Sequence, residues 1–156
     1  HVSPIEDFPE DKWNAIIAIN LTSAFHLSKA VWPNMKKNQF GRIINVASAH
    51  GLVASEFKSA YVASKHGIVG LTKTLGLEGA PFNITCNAIC PGPFLTEMNI
   101  PIADSEEAKK FIVGAVALER WGELEEIQGA AIYLASRASS YTTGSLLTVD
   151  GGWTAR

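Results

Sequence analysis

A serine, a tyrosine and a lysine near the middle of the chain have the spacing of a proton-transfer site. Tyr61 and Lys65 stand four residues apart, so on a helix they lie on one face, one turn from each other. Ser48 lies thirteen residues before Tyr61, where an apolar run ends. A phenol has a pKa near ~10 and transfers protons poorly at pH 7, but a neighbouring ammonium favours the phenolate. With a serine hydroxyl to hold a carbonyl or alkoxide oxygen, these groups suit reversible carbonyl reduction, provided that another molecule supplies the hydride.

The tyrosine and lysine by themselves also fit a plainer interpretation, a packed tyrosine beside a solvated lysine. The surrounding pattern therefore matters. Short apolar runs predict three strands, over residues 41–48, 84–89 and 145–149. Helical spacing predicts helices over residues 10–37, 58–78, 96–99, 105–116 and 123–136. Pro33 should disturb the last turn of the first helix.

The order of these elements indicates a fold class. The first strand lacks polar alternation, which is typical of a parallel strand covered on both faces. Strands that alternate with helices predict an α/β fold with a parallel sheet and right-handed crossovers. We expect the chain to form a single domain over residues 1–156, since its length suits one domain and 47% of its residues are hydrophobic.

Composition argues against several classes of partner and compartment. A net charge of -2 without a basic stripe argues against nucleic acid. No apolar run reaches the roughly 18 residues that a bilayer span needs, and no signal peptide opens the chain. We therefore expect a cytoplasmic protein without a membrane partner. Cys86 and Cys90, on the second strand and its loop, are expected to be buried reduced thiols, and no metal site is expected.

Five motifs follow one another along the chain: Ile-Asn-Leu-Thr at residues 19–22, Asn-Val-Ala-Ser-Ala at 45–49, Tyr-Val-Ala-Ser-Lys at 61–65, Asn-Ala-Ile-Cys-Pro-Gly at 87–92, and Asp-Gly-Gly at 150–152. In order and spacing they resemble the short-chain dehydrogenase/reductase family, over essentially the whole chain. The resemblance implies a Rossmann-type parallel sheet. It also implies an enzyme, although activity of these 156 residues alone is a separate question.

The resemblance implies catalytic roles for four residues. Tyr61 is implied as the general acid/base and Ser48 as the group that orients the substrate oxygen. Lys65 is implied as the cation that favours the phenolate and reaches the nicotinamide ribose. Asn20 is implied to anchor a proton-relay water through its helix backbone. From the residues alone, Asn20 indicates either a local bulge or a surface position, with the surface favoured.

The implied cofactor is NAD or NADP, and the sequence does not decide between them. The residues implied to bind it are Tyr61, Lys65, Pro91, Gly92 and Thr96, all on the nicotinamide side. In the family, the loop at Pro91 and Gly92 cradles the nicotinamide, and glycine lets the backbone approach the ring. No glycine-rich phosphate-binding turn occurs in the 156 residues. We therefore expect the C-terminal catalytic part of a reductase, lacking the N-terminal dinucleotide-fingerprint half.

Two segments around the serine and tyrosine, residues 48–55 and 58–61, resemble the bacterial 3-hydroxybutyrate dehydrogenases. So do the opening residues 1–20 and the ending 150–156. The resemblance implies that His50 and Lys58 hold a substrate carboxylate, with Ser48 and Tyr61 completing the substrate site. A surface lysine and a loop histidine are the open alternative. The implied substrate is a small hydroxy acid and its keto acid.

Other parts of the chain leave alternatives open. Pro93 replaces a tryptophan expected in that subfamily, and residues 93–99 and 118–126 resemble sugar-acid reductases such as gluconate 5-dehydrogenases. A 3-oxoacyl carrier-protein reductase shares the same motifs. An alternative of another class is a non-catalytic fragment that associates with itself. We expect a homo-oligomer, because the strand at residues 42–47 would have an exposed edge and because the family's tetramers pack through the two long helices.

Overall fold

Three parallel strands form the sheet in the computed structural model, which describes residues 1–155 apart from the side chain of residue 113. They are β1 (Gly41–Val46), β2 (Ile84–Pro91) and β3 (Leu146–Val149), in the order β1-β2-β3. Strand β1 pairs with β2 from Gly41 opposite Ile84 onward, and β2 pairs with β3 from Ala88 opposite Leu146 onward. The parallel α/β prediction is confirmed. Arg156, the last residue of the ending quoted above, lies outside the described residues.

Six α-helices accompany the sheet in the described part of the chain: α1 (Glu10–Ile17), α2 (Ser23–Asn38), α3 (Ser59–Gly79), α4 (Ile100–Ala103), α5 (Glu106–Ala115) and α6 (Glu125–Ala135). The described residues also form four short 3-10 turns: Ile5–Asp7, Ala49–Gly51, Ala80–Phe82 and Arg137–Ser139. The helix predicted at residues 96–99 is wrong. Those residues form a turn in which Asn99 and Ile100 donate their N–H groups to the Thr96 carbonyl. Helix α4 begins only after this turn, with a proline in its first turn, where the missing N–H costs no hydrogen bond.

The first long helical segment is continuous but not uniform. A π-helical stretch, Ala18–Thr22, separates α1 from α2. Pro33 lies inside α2 without ending it, because the helix continues to Asn38 and stops where Gln39 takes a left-handed conformation (φ 51°). Pro33 is exposed, so water can bind the carbonyl that loses its backbone partner. The expected disturbance therefore leaves the last turn in place.

The core lies between β1, β2 and the helices α2 and α3. One cluster joins Ala47 and Ala88 on the sheet to Ile68 on α3. A second joins Ile43 and Ile84 and is covered by apolar side chains that include Trp32 and Leu75. Helix α6 contacts all three strands. These contacts fix the carboxyl ends of the strands relative to α3, which carries Tyr61 and Lys65.

The two neighbouring strands differ in how far they are covered. Every residue of β2 from Ile84 to Cys90 is buried, whereas Val46 at the end of β1 is 62% exposed. The expectation that β1 is covered on both faces is therefore wrong. A groove of about 450 Å³ runs between β1 and α2. We call it the β1–α2 groove; apolar residues that border it include Ile19, Leu27, Val31, Ile44 and Val46.

Both cysteines lie on β2 and are buried free thiols, as expected. Their position corrects the division between strand and loop, since β2 extends to Pro91 and includes Cys90. Burial raises the pKa of Cys86 to about 12. Within residues 1–155, the helices are all too short or too polar to cross a membrane.

Candidate active site

Ser48 lies just past the end of β1. The strand ends at Val46, two residues earlier than predicted, and Ser48 continues in an extended conformation into the 3-10 turn Ala49–Gly51. Its side chain is buried, and its Oγ accepts a hydrogen bond of 3.1 Å from the backbone N–H of His50. The serine thereby caps the turn, and the turn in return fixes the position of its hydroxyl.

Tyr61 and Lys65 occupy the first turns of α3 on one face of the helix. The Lys65 Nζ lies 5.6 Å from the centroid of the Tyr61 ring. It donates a hydrogen bond of 2.9 Å to the carbonyl of Val46, the last residue of β1. Burial lowers the pKa of Lys65 below its ordinary value. The lysine thus joins the catalytic helix to the strand that leads to Ser48.

A cleft of about 790 Å³ opens beside Ser48 and Tyr61. His50 and Lys58 border the same cleft, which we call the central cleft. The structure therefore brings together the four side chains that the sequence assigned to substrate. Lys65 and Asn20 lie behind them and border the β1–α2 groove instead.

His50 is held on several sides. Its ring meets Tyr61 edge to face, with centroids 5.7 Å apart, and meets Trp153 in the same way at 4.9 Å. Its Nε2 lies 2.7 Å from the Oγ of Ser55. Burial, followed by the charges of Lys58 and His66, lowers the pKa of His50 to about 4. At neutral pH the ring is uncharged, so Lys58 is the cation of this pair.

Asn20 lies in the π-helical stretch, half-buried against α3. Its Nδ2 donates a hydrogen bond of 3.1 Å to the Oγ of Ser64, which in turn donates to the Tyr61 carbonyl at 2.7 Å. Of the two positions left open by the residues alone, the bulge is correct and the surface position is wrong. A π-helical turn widens the helix and frees backbone groups, and such turns are frequent at functional sites.

The loop after β2 contains the other residues assigned to the cofactor. Pro91 ends β2, and the N–H of Gly92 donates to the Val149 carbonyl at 2.9 Å. A Cβ atom on Gly92 would lie 2.6 Å from the Cα of Asp150. The backbone at Asp150, just after β3, therefore requires glycine at this position, while the expected approach to a nicotinamide ring stays a prediction. Thr96 is half-buried in the turn ahead of α4.

Sequence reasoning missed the aromatic wall of the central cleft. Phe111 on α5 meets Trp153 edge to face with centroids 5.6 Å apart, and Trp121 borders the cleft as well. The helical spacing of Ala108, Phe111 and Ile112 in an otherwise charged segment was the available signal. That signal indicates a buried face of α5, but not that this face borders the cleft.

The groups near Tyr61 fit the nicotinamide end of a dinucleotide. Lys65 has three N–H donors, of which Val46 takes one. Among residues 1–155 the Tyr61 hydroxyl has no hydrogen-bond partner, so it can bind a substrate or a ribose hydroxyl. Lys65 and Tyr61 lie near the carboxyl end of β1. Parallel α/β sheets bind such ligands at the carboxyl ends of their strands. A glycine-rich phosphate-binding turn does not occur among the 156 residues.

Comparison with known proteins gives a consistent result. A protein-family model described as enoyl-(acyl carrier protein) reductase matches residues 1–154. The D-beta-hydroxybutyrate dehydrogenase of Rhizobium meliloti (strain 1021) is 47% identical over an alignment of 165 residues, gaps included, which covers 99% of this chain. The chain spans 64% of that protein's length.

Two solved structures are similar over nearly the whole chain. A gluconate 5-dehydrogenase from Burkholderia cenocepacia, in complex with NADP and tartrate, is 34% identical with a TM-score of 0.95, over 100% of this chain and 61% of that one. A 4-hydroxyisoleucine dehydrogenase complexed with NADH is 35% identical, also with a TM-score of 0.95, over 99% of this chain and 64% of that one.

Proposed function

Because the chain belongs to the short-chain dehydrogenase/reductase family, we propose that the protein is an NAD(P)-dependent oxidoreductase that interconverts a small hydroxy acid and its keto acid. A 3-hydroxybutyrate-like acid is the first candidate substrate. The observation that carries this proposal is that Ser48 and Tyr61 border the same cleft as His50 and Lys58. The similarity to a D-beta-hydroxybutyrate dehydrogenase supports it.

The chemistry proposed for the reacting oxygen uses two hydroxyl groups. Ser48 accepts a hydrogen bond from the His50 N–H, so its own O–H is left to donate to the substrate oxygen. Tyr61 takes the proton of the alcohol during oxidation and returns it during reduction. The Lys65 ammonium beside the ring favours the phenolate form that accepts this proton. A bound nicotinamide would accept or supply the hydride.

Several residues are proposed to support these groups. Asn20 binds Ser64, and Ser64 binds the carbonyl of Tyr61, so the π-helical stretch holds the catalytic turn of α3 in place. The donors of Lys65 that Val46 leaves free would bind the nicotinamide ribose. Pro91, Gly92 and Thr96 would hold the nicotinamide ring from the loop after β2.

The acid end of the substrate is proposed to bind His50 and Lys58. An ammonium and a neutral imidazole can both donate hydrogen bonds to a carboxylate, and the ammonium adds charge attraction. Both side chains border the central cleft with Ser48. A carboxylate held there would leave the rest of the substrate in the cleft that Ser48 and Tyr61 also border.

A sugar acid is the second candidate substrate, favoured by the opposite wall of the central cleft. Asn99, Ser105 and Glu107 border the cleft on the side of α4 and α5. The cleft volume of about 790 Å³ exceeds what a four-carbon acid fills. Polar groups along such a space suit the hydroxyls of a longer polyhydroxy acid. The similarity to a gluconate 5-dehydrogenase solved with tartrate supports this candidate.

The test is a substrate comparison on the protein at its natural length. D-3-hydroxybutyrate and D-gluconate are each oxidised with NAD⁺ and with NADP⁺, and formation of the reduced nicotinamide is followed by its absorbance. A kcat/KM for hydroxybutyrate above that for gluconate supports the first candidate, and the reverse order supports the second. Absence of turnover with both acids, in protein shown to be folded by circular dichroism, contradicts the proposed function.

We also propose that the protein forms homo-oligomers. Phe25 and Leu27 on α2 and Leu77 on α3 are exposed apolar side chains, and the β1–α2 groove adds further apolar surface. Exposed strand edges and apolar helix faces recruit other chains. Light scattering coupled to gel filtration measures the mass directly. A stable monomer at micromolar concentration contradicts this part of the proposal, as well as the alternative of a self-associating non-catalytic fragment.

A further inference from the structure

The His50 ring has only one nitrogen available to a ligand. Its Nε2 lies 2.7 Å from the Oγ of Ser55, within hydrogen-bond distance. The ring cannot turn freely, because Tyr61 and Trp153 meet it edge to face. Only 7% of the residue is exposed, yet it borders the central cleft. The remaining nitrogen, Nδ1, is therefore the atom through which His50 can bind a substrate.

The tautomer of the ring decides what that nitrogen can do. A neutral imidazole has one donor and one acceptor nitrogen, whereas a serine hydroxyl can take either role. If Ser55 donates to Nε2, then Nδ1 carries the hydrogen and donates. If Ser55 accepts from Nε2, then Nδ1 is an acceptor and repels an anion.

The charge beside His50 selects between these two possibilities. Lys58 borders the same cleft, and its ammonium offers donors and positive charge. A ligand attracted by Lys58 is an anion, whose oxygens accept hydrogen bonds. Only the Nδ1–H tautomer is complementary to such a ligand, and that tautomer requires Ser55 to donate.

We propose that Ser55 is a positioning residue, whose hydroxyl donates to Nε2 of His50 and so presents an Nδ1–H donor to the anionic group of the substrate. This inference rests on the proposed function, because it takes the substrate to be an acid.

The surroundings of His50 keep the ring neutral, as this role requires. Burial has the largest effect on the pKa of His50, followed by the positive charge of Lys58 and then by His66. All three lower it. Tyr61 from α3 and Trp153 from the end of the chain complete the contacts and bring no positive charge. The neutral ring therefore orients the bound anion through a hydrogen bond, and Lys58 attracts the anion by its positive charge.

The tautomer can be measured without any substrate. In protein labelled with ¹⁵N-histidine, long-range ¹H–¹⁵N spectra distinguish Nδ1–H, Nε2–H and imidazolium rings, and the His50→Gln variant identifies the His50 signals. We expect a neutral Nδ1–H ring at pH 7. In Ser55→Ala we expect a mixture of the two tautomers, and in Ser55→Thr, which keeps the hydroxyl, a return to the Nδ1–H form. A wild-type Nε2–H ring overturns the proposal.

Kinetics then test whether the tautomer matters for binding. Ser55→Ala should raise KM for the acid by about five- to tenfold, less than the full loss of a hydrogen bond to a charged group, because the bond is weakened and not removed. Its kcat should stay within about twofold, since the reacting atoms are untouched. Ser59→Ala is the matched control, because the buried Ser59 hydroxyl has no hydrogen-bond partner within the described residues and its loss should be neutral for KM. An unchanged KM in Ser55→Ala contradicts the proposal.

The two measurements separate this inference from the proposed function. Absence of turnover in wild-type protein contradicts the proposed function, whereas the NMR result for Ser55 and His50 stands independently. Turnover with an Nε2–H ring contradicts only the role of Ser55.

Discussion

The backbone N–H of His50 lies 3.1 Å from the Oγ of Ser48 and donates a hydrogen bond to it. This bond joins the residue proposed to orient the substrate oxygen to a residue proposed to bind the substrate carboxylate. Both belong to one short turn, Ala49–Gly51 with its cap. The turn packs directly against α3, since a Cβ on Gly51 would lie 3.0 Å from the carbonyl oxygen of Lys65. One rigid piece of backbone therefore sets the distance between the two ends of the substrate and the catalytic helix.

Replacing Tyr61 with phenylalanine should reduce kcat by about 10²- to 10⁴-fold, the contribution of a positioned acid/base group. Folding should be preserved, because the Tyr61 hydroxyl has no hydrogen-bond partner within residues 1–155 and the ring contact with His50 remains. Steady-state kinetics and thermal unfolding measure the two effects separately. Tyr141→Phe is the control, since that side chain is fully exposed. If Tyr61→Phe kept a kcat within a factor of ten of the wild-type value, Tyr61 would not be the general acid/base.

Replacing Lys58 with alanine should raise KM for the acid substrate more than it lowers kcat. The lysine borders the central cleft away from the reacting oxygen, so it contributes to binding the carboxylate. Loss of a charge-assisted hydrogen bond costs about 1.5–3 kcal/mol, which corresponds to a KM increase of roughly 10- to 150-fold. Lys73→Ala, on the exposed face of α3, is the matched control. Equal effects of the two substitutions on KM would show that Lys58 acts only through the general charge of the surface.

The periodic pattern of the sequence was enough to predict the three strands and the long helices, although not the short helix α4. Apolar runs and helical spacing are local properties, so β2 and α3 could be located to within about two residues. The i, i+4 relation of Tyr61 and Lys65 is local too, and the structure places both on one helix face. The same local reasoning could not tell how far β1 is covered, because burial depends on neighbours from elsewhere in the chain.

The missed features depend on contacts between distant parts of the chain. Trp153 lies far from His50 in sequence, yet the two rings are in contact. The π-helical stretch around Asn20 is stabilised by Ser64 on α3, a contact that no helical pattern reveals. Likewise, Gly92 is required because the backbone at Asp150 packs against it. The sequence shows that these residues are small, polar or aromatic, but only the folded structure shows why each is needed at its position.

The stability of the protein should fall as pH is lowered from about 6.5 to about 4, partly because of His50. Burial and the charges of Lys58 and His66 lower the pKa of His50 from 6.5 to about 4 in the folded state. Between these values the unfolded chain binds more protons at this residue, so the free energy of unfolding increases with pH and is lost as pH falls. The full shift corresponds to at most about 3 kcal/mol.

Urea unfolding at several pH values measures this dependence. In His50→Gln the slope between pH 4 and pH 6.5 should be smaller, because glutamine does not titrate. His26→Gln is the control, since His26 is exposed on α2. Equal slopes in wild type and His50→Gln would show that the folded protein accommodates the imidazolium form of His50.

Replacing Gly92 with alanine should damage both stability and the proposed nicotinamide site. The added Cβ would lie 2.6 Å from the Cα and 2.9 Å from the carbonyl oxygen of Asp150, and backbone atoms cannot move aside as a flexible side chain can. Asp150 is itself fixed, because its carboxylate accepts hydrogen bonds from the backbone N–H groups of Gly152 and Thr154 at 3.0 and 2.9 Å. The loop after β2 must therefore shift, at a cost on the order of 1–3 kcal/mol.

The shift would also break the hydrogen bond from the Gly92 N–H to the Val149 carbonyl. We expect a lower melting temperature and a higher KM for the nicotinamide cofactor. Gly129→Ala in α6 is the matched control, because a Cβ there meets no atom of the described part of the chain within 4 Å, and alanine should stabilise the helix by about 0.5–1 kcal/mol. If Gly92→Ala kept the wild-type melting temperature and cofactor KM, contact with Asp150 would not be the reason for glycine at this position.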